Sequence, residues 1–211
     1  MIVSILTEKK SWIRPFVEQI REKLNREHAV QVFYDHNDVI RGGCLVILGY
    51  EKIIPQSILD RNKHNLVVHE SDLPSGKGWS PLTWQIIEGK NRVPIVLFGA
   101  NADVDSGDIY LKDEIVFEGH ELIGELREKQ GKKTVELVCR FFKDYPDNVR
   151  KKQEGSESFY PRRGPRDSEL PIDVPLKDLF NRLRVVDNDR YPAFFSNKGK
   201  KYLLKIYKEE A

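Results

Sequence analysis

Three short segments of this chain hold residue types that can do acid/base chemistry at a spacing a fold can bring together: His69-Glu-Ser71-Asp-Leu73-Pro74, Gly78-Trp79-Ser-Pro81 and Asp105-Ser-Gly107-Asp-Ile109. An imidazole at the end of an apolar strand gains or loses a proton near neutral pH. A Gly/Pro turn beside it lets backbone approach a ligand, and a carboxylate after the next strand can steady charge on the ring. A lone histidine is more often structural, and His28, His36, His64 and His120 take that reading. His69 differs in its company. Asp103, Asp105 and Asp108 are neighbouring candidates for the acidic role.

These segments need elements to hold them, and the apolar pattern supplies them. Ile2–Leu6 reads as a buried strand, followed by the loop Lys9-Lys10-Ser11-Trp12 and a helix over about 13–26 with Phe16, Val17, Ile20 and Leu24 at helical spacing. Strands are predicted at 31–34, 44–48 and 65–68, the last ending in His69, with a short helix at 55–60 between the second and third. A helix starts at Ser80-Pro81, where proline suits the first turn. Strands at 94–98 and Ile109–Val116 follow, then a long helical pattern over 120–142 that Gly131 could divide. Alternation of β and α predicts an α/β fold with an open, mostly parallel, Rossmann-like sheet. Ligands in such sheets lie outside the carboxyl ends of the strands, where His69 and Tyr50 both fall.

After Asp144 the texture changes. The run Lys151-Lys-Gln-Glu-Gly-Ser-Glu-Ser158 is polar and aperiodic and reads as an exposed linker, and 201–207 alternates like an edge strand. The expected division is a catalytic domain over 1–145, a linker over 146–158 and a small C-terminal subdomain over 159–211, too short for an independent core.

The 211 residues, 39% hydrophobic and 32% charged, suffice for one ordinary core plus an appendage. The N-terminus reads as a strand and no apolar run reaches the roughly 18 residues of a membrane helix, so no membrane partner and a cytoplasmic location are expected. Net charge is +2, without the basic excess of a nucleic-acid binder. Cys44 and Cys139 lack disulfide or metal spacing and read as structural thiols. Lys132-Lys133 and the lysines of 198–201 read as solvated faces.

Taken together, His-x-Ser-x-Leu-Pro, Gly-x-x-Pro and Asp-x-Gly-Asp-Ile resemble the formyltransferases that use 10-formyltetrahydrofolate, over a stretch from about Cys44 to Ile109. The resemblance implies His69 and Asp105 as the catalytic pair, Asp105 being the aspartate followed two residues later by glycine. A neutral amine would attack the formyl carbon, with His69 stabilising the developing oxyanion or shuttling protons. Asp105 would orient the imidazole and favour its charged form, or take the amine proton itself. No metal is implied. One position departs from the family: where it has Asn two residues before the histidine, this chain has Val67, which cannot donate a hydrogen bond. Asn65 shares that face of a regular strand but lies about 13 Å from His69, at roughly 3.3 Å per residue. Either another donor serves or the chain is an inactive folate- or nucleotide-binding relative; the intact His69 and Asp105 favour the first.

The same resemblance places the folate against Tyr50, Ile53, Ile54, Phe98, Ala100, Val104 and Asp105, with the backbone of 98–105 reading the pterin edge. Ser11, Trp12, Lys77, Gly78 and Trp79 lie where a phosphate or sugar could bind. The C-terminal string with Arg162, Arg163, Arg184, Tyr191 and Phe194 looks like the nucleotide-sugar side of sugar N-formyltransferases, since guanidinium forks suit a diphosphate and aromatic faces a pyrimidine. The wording of the His69 and Trp79 segments is most similar to the pseudaminic-acid pathway type, which implies UDP-4-amino-4,6-dideoxy-N-acetyl-altrosamine as acceptor; a monomer or homodimer is expected. Methionyl-tRNA formyltransferase and glycinamide ribonucleotide formyltransferase compete within the class; the near-neutral charge and the short stretch after Asp144 weigh against the first, and the Arg-Arg-x-Pro-x-Asp-Ser string against the second.

Overall fold

The computed structural model describes residues 1–101 and 103–209, so Ala102, within the expected pterin-reading loop, lies outside the described residues. Strands β1 (Ile2–Leu6), β2 (Ala29–Phe33), β3 (Gly42–Ile47), β4 (Asn62–His69), β6 (Arg92–Gly99) and β7 (Ile109–Val116) form one sheet in the order β2-β1-β3-β4-β6-β7. The first four run parallel, while β6 lies antiparallel to β4 and β7 antiparallel to β6. This is the expected open, mostly parallel α/β sheet, with two antiparallel pairings on one side.

Alternation of side chains along each strand divides the sheet into two unlike faces. Ile5, Val46, Leu66, Ile95 and Leu97 enter the main core beneath helices α1 (Arg14–Leu24), α3 (Pro81–Ile87) and α4 (Ile123–Asp144). Leu6, Leu45, Ile47 and Val67 point the other way, as do Val96 and Phe98. The elements packed on that second face include the short helix α2 (Gln56–Leu59), through Ile58 and Leu59, and Tyr50, Ile54 and Ala100 from the loops after β3 and β6. A face roofed largely by loops is where a ligand can enter without breaking helix packing.

Gly131 does not divide α4. A Cβ there would stand 2.3 Å from the Phe16 ring, so the glycine lets α1 and α4 approach closely, which offsets the roughly 1 kcal/mol that glycine costs inside a helix. The C-terminal residues build a satellite cluster of Leu170, Leu179, Leu183, Val186 and Ala193. It rests on α5 (Leu176–Arg184) and the antiparallel hairpin β9 (Ala193–Asn197) and β10 (Lys200–Leu204). β10 is shorter than the edge strand expected over 201–207. Among the described residues no helix is long and apolar enough to cross a membrane.

Candidate active site

Because side chains alternate along β4, Val67 and His69 share the loop-covered face. His69 closes the strand with 6% of its surface exposed, edge-on to the Phe98 ring at 6.4 Å. Its Nε2 lies 2.8 Å from the Gly76 carbonyl; since a carbonyl only accepts, Nε2 carries the proton. Asp105 comes from the loop between β6 and β7, with a left-handed backbone (φ 50°). Its Oδ2 accepts the Gly78 amide at 2.8 Å and stands 3.9 Å from His69 Nε2. At that separation the carboxylate is a charge partner for a protonated ring more than a hydrogen-bond acceptor. The backbone of Gly76, not Asp105, therefore fixes the ring's orientation. Asp103 donates its amide to Asn101, and Asp108 pairs with Arg150 at 3.7 Å; neither ion-pairs with His69. Glu70, next in the chain, has its carboxyl pushed up by burial against the opposing charge of His69.

The stretch expected to be an exposed linker crosses this site. Lys151 bridges to Ile109, Gln153 Nε2 donates to the Asp105 and Gly107 carbonyls at 2.9 Å each, and Ser158 Oγ accepts the Gly76 amide at 2.8 Å. Phe159 and Tyr160 (β8) then pair in parallel with Lys77 and Gly78 (β5). Gly78 has φ +95°, and a Cβ on it would lie 2.5 Å from the Tyr160 carbonyl, so glycine is required for this pairing. The segment lacks hydrophobic periodicity because it is held by hydrogen bonds.

β4 pairs with β3 and β6 in unbroken register, so no bulge brings Asn65 toward His69. Asn65 Nδ2 instead donates to the Leu59 carbonyl at 3.1 Å. Val67 joins the apolar floor with Leu45, Ile47, Tyr50, Ile54 and Ala100. The Tyr50 hydroxyl lies 2.8 Å from His36 Nδ1 and accepts the His36 amide, giving His36 the structural role expected of it. Ile53 (83% exposed) and Val104 (60% exposed) stand free on the loops after β3 and β6. Phe98, expected on the folate, is 2% exposed and packs beneath the imidazole.

Several expected substrate contacts turn out to be packing. Trp12 is edge-on to Phe16 and lies under the Arg127 guanidinium. Lys77 is buried with its Nζ 2.5 Å from Glu157, and Phe194 is covered by Lys201 at 3.6 Å from its ring centre. Arg184 is 1% exposed, bonded to the Glu121 carbonyl and carboxylate and to the side chains of Asn91 and Asn181. Burial opposes the charge on Glu121, but the Lys129 hydrogen bond and the Glu118 and Gly119 amides outweigh it and draw that carboxyl down to about 2. Arg184 is thus the internal tie between α5 and the loop before α4. Ser11 sits against Gly49, where a Cβ would meet its Oγ at 2.5 Å, whereas Tyr191 is exposed beside Arg190.

Trp79 and Arg162 are exposed and lie against each other, whereas Arg163 is half-buried over Trp84. The Arg162 guanidinium lies 4.6 Å from the Trp79 ring centre and pairs with Glu51 at 2.5 Å. Trp84 stacks on Tyr160 with 10° between planes and has Arg163 over it at 5.9 Å. Arg163 Nε is buried without a hydrogen-bond partner among the described residues, and burial lowers its proton affinity despite nearby Asp167. Glu51, Gln153 and Ser158 were not anticipated from the sequence. The only signal for the last two was their nearness in sequence to the Phe159-Tyr160 motif.

Known proteins share this fold. The 4-N formyltransferase of Francisella tularensis superposes with a TM-score of 0.78 at 18% identity, over 100% of this chain and 98% of its own. HypX of Aquifex aeolicus, solved with tetrahydrofolic acid, superposes with a TM-score of 0.80 at 17% identity, over 97% of this chain and 37% of its own. In sequence, methionyl-tRNA formyltransferase of Caldicellulosiruptor saccharolyticus is 28% identical over 181 residues, 84% of this chain and 57% of that protein. The chain thus spans little more than half the length of that relative. The formyl transferase family model matches residues 2–141, well over half of the 211, and on that match the chain belongs to the formyl transferase family.

Proposed function

We propose that this chain transfers a formyl group from 10-formyltetrahydrofolate to the primary amine of a nucleotide-linked amino-deoxysugar. Following the wording of its His69 and Trp79 segments, the acceptor is UDP-4-amino-4,6-dideoxy-N-acetyl-altrosamine. The observation that carries the chemistry is the juxtaposition of His69 Nε2 and the Asp105 carboxylate at 3.9 Å on the loop-covered face. The apolar floor of Ile47, Val67, Ile54 and Ala100 suits a flat pterin, and the exposed Ile53 and Val104 side chains are free to cover its tail. The tetrahydrofolic acid in HypX supports the same cofactor class. When bound, the folate would supply an activated formyl carbon. His69 would hold a proton near the formyl oxygen while the amine–formyl bond replaces the folate–formyl bond, and Asp105 would either stabilise the charged ring or take the proton that the amine gives up and pass it to the folate nitrogen that departs.

The exposed Trp79–Arg162 pair and the Trp84–Tyr160 stack beside Arg163 support the sugar-nucleotide reading, because aromatic faces match a base, and guanidinium groups, with the Arg163 Nε lacking a partner among the described residues, match a diphosphate. Methionyl-tRNA is the second reading, favoured by the sequence relative from Caldicellulosiruptor saccharolyticus. Incubation with 10-formyltetrahydrofolate and a panel of UDP-, dTDP- and GDP-amino sugars, beside methionyl-tRNA, followed by mass spectrometry, separates them. A formylated sugar supports the first reading, and formylated methionyl-tRNA alone replaces it with the second. No product with any acceptor leaves a binding module.

Arg162 and Arg184 are expected to behave oppositely. Arg162→Ala should raise KM for the nucleotide sugar about tenfold or more, the worth of one charge-assisted hydrogen bond, with the thermal midpoint unchanged. Its pairing with Glu51 is on the surface and contributes little to stability. Arg184→Ala should leave KM alone and destabilise the fold by about 3 kcal/mol, because the hydrogen bonds to the Glu121 carbonyl and carboxylate and to Asn91 and Asn181 are lost and buried acceptors are left unsatisfied, although Glu121 keeps Lys129. A KM effect confined to Arg184→Ala would reverse the assignment.

Val67→Asn tests the departure from the family pattern. Val67 packs among Leu45, Ile47 and Phe98, so an amide there loses water without a partner, at roughly 1–3 kcal/mol. The rate is expected to fall several-fold, since His69 or a backbone N–H already serves as donor. A tenfold gain in kcat at unchanged stability would instead mark a vacant donor position.

A further inference from the structure

Both members of the His69–Asp105 pair are held by the same aperiodic stretch, residues 151–160. Gln153 makes the more specific contact: its single amide nitrogen reaches the carbonyls of Asp105 and Gly107, 2.9 Å each, from 48 and 46 residues away in sequence. The first carbonyl is that of Asp105 itself, which adopts φ 50°, and the second lies two residues further along the same turn. A non-glycine residue in the left-handed region persists when surrounding contacts over-determine it. The Gly78 amide on the carboxylate supplies one such contact and the Gln153 amide on the backbone supplies another. Gln153 is half-buried, in a segment whose charged neighbours Lys152 and Glu154 are exposed. A surface amide with no task would spend its donor hydrogens on water.

The Gly107 position explains why the turn needs holding. Its backbone passes so close to Gly99 that a Cβ would lie 1.6 Å from the Gly99 carbonyl. The turn is therefore folded down against the end of β6, and an outward swing would carry the Asp105 carboxylate away from His69. Ser158 acts in parallel on the other partner, since its Oγ accepts a hydrogen bond from the amide of Gly76, whose carbonyl accepts one from His69 Nε2–H.

We propose that Gln153 is a positioning residue for Asp105: its side-chain amide clamps the Asp105–Gly107 turn so that the carboxylate stays on the Gly78 amide and within charge-pairing distance of His69. This rests on the formyl-transfer reading only for its catalytic consequence; the clamp is a property of the folded chain by itself.

The test is Gln153→Met, which keeps length and shape and removes the donor, with Gln153→Glu as a second variant. Each is read by steady-state kinetics and by NMR hydrogen exchange at the Gly78 amide, with Asp105→Ala as the reference for a lost acceptor. In Gln153→Met, kcat is expected to fall 10- to 100-fold with both KM values within about twofold, the size of effect produced by displacing a reacting group by about 1 Å. Exchange at Gly78 should accelerate toward the Asp105→Ala rate while the remaining amides stay at wild-type rates. Gln153→Glu, which sets a carboxylate against two carbonyl oxygens, should be slower still at pH 8 and recover relative to Gln153→Met as the pH falls and the carboxyl regains a donor proton. Wild-type kcat together with wild-type Gly78 exchange in Gln153→Met would overturn the proposal, and so would a fall in kcat with Gly78 exchange unchanged. If the wild-type protein formylates nothing but Gly78 exchange still rises in both variants, the clamp stands and the formyl-transfer reading fails.

Discussion

Replacing His69 or Asp105 by alanine is expected to lower kcat by on the order of 10²- to 10⁴-fold, the usual worth of a positioned acid or base. The double variant should be little worse than either single one. The non-additivity follows from geometry: Asp105 Oδ2 is 3.9 Å from the nitrogen whose charge it would stabilise, so removing either group removes what the other acts upon. The fold should survive both changes. His69 sits at the open end of β4 with one side-chain hydrogen bond, to Gly76, and the Asp105 side chain has one, from Gly78. Steady-state rates of the three variants beside thermal melts make the check. Additive losses would mean that the two residues act at separate steps, and full activity in either single variant would remove that residue from the site.

The sequence discloses such a pair because its residues are tied to strand ends. The apolar runs at 44–48 and 65–68 mark parallel strands on period and composition alone, so a histidine at the end of the second lies where ligands bind in α/β sheets. The positions of the six strands of the main sheet therefore follow from pattern, with ends misplaced by a few residues (β4 begins at Asn62, not Asn65), while their order in the sheet and the antiparallel pairing of β6 and β7 do not. What is not legible is whatever depends on contact between distant segments. Nothing in Lys151 to Ser158 distinguishes a solvated linker from a strap that bonds Asp105 and Gly76, because the bonding groups are one amide, one hydroxyl and backbone. Arg162, Arg163 and Arg184 likewise read alike as arginines. Burial separates them, placing Arg184 inside on Glu121, Arg163 half-buried over Trp84 and Arg162 exposed against Trp79, and burial is set by the fold of the C-terminal segment.

The largest effect expected away from the reacting groups is at Gly107. An alanine Cβ there would stand 1.6 Å from the Gly99 oxygen and 2.7 Å from its carbonyl carbon, far inside any tolerable contact. The obstacle is backbone at the end of β6, held to Asp108 by the Gly99 amide, so no side chain can rotate away. Relief requires the turn carrying Asp105 to move outward by roughly 1–2 Å, which breaks the Gln153 bonds and withdraws the carboxylate from His69. Overpacking of this kind costs about 1–3 kcal/mol, or a fall of roughly 3–10 °C in Tm for a chain of this size. Displacing a reacting group by 1 Å costs about 10²-fold in rate. Gly107→Ala should therefore lose at least that much in kcat. Gly124→Ala, in the first turn of α4 with nothing within 4 Å of the added carbon, should be neutral or slightly stabilising. Kinetics and melting curves on the two variants decide the point, since wild-type turnover in Gly107→Ala would mean that Asp105 tolerates displacement and is not the carboxylate the reaction uses.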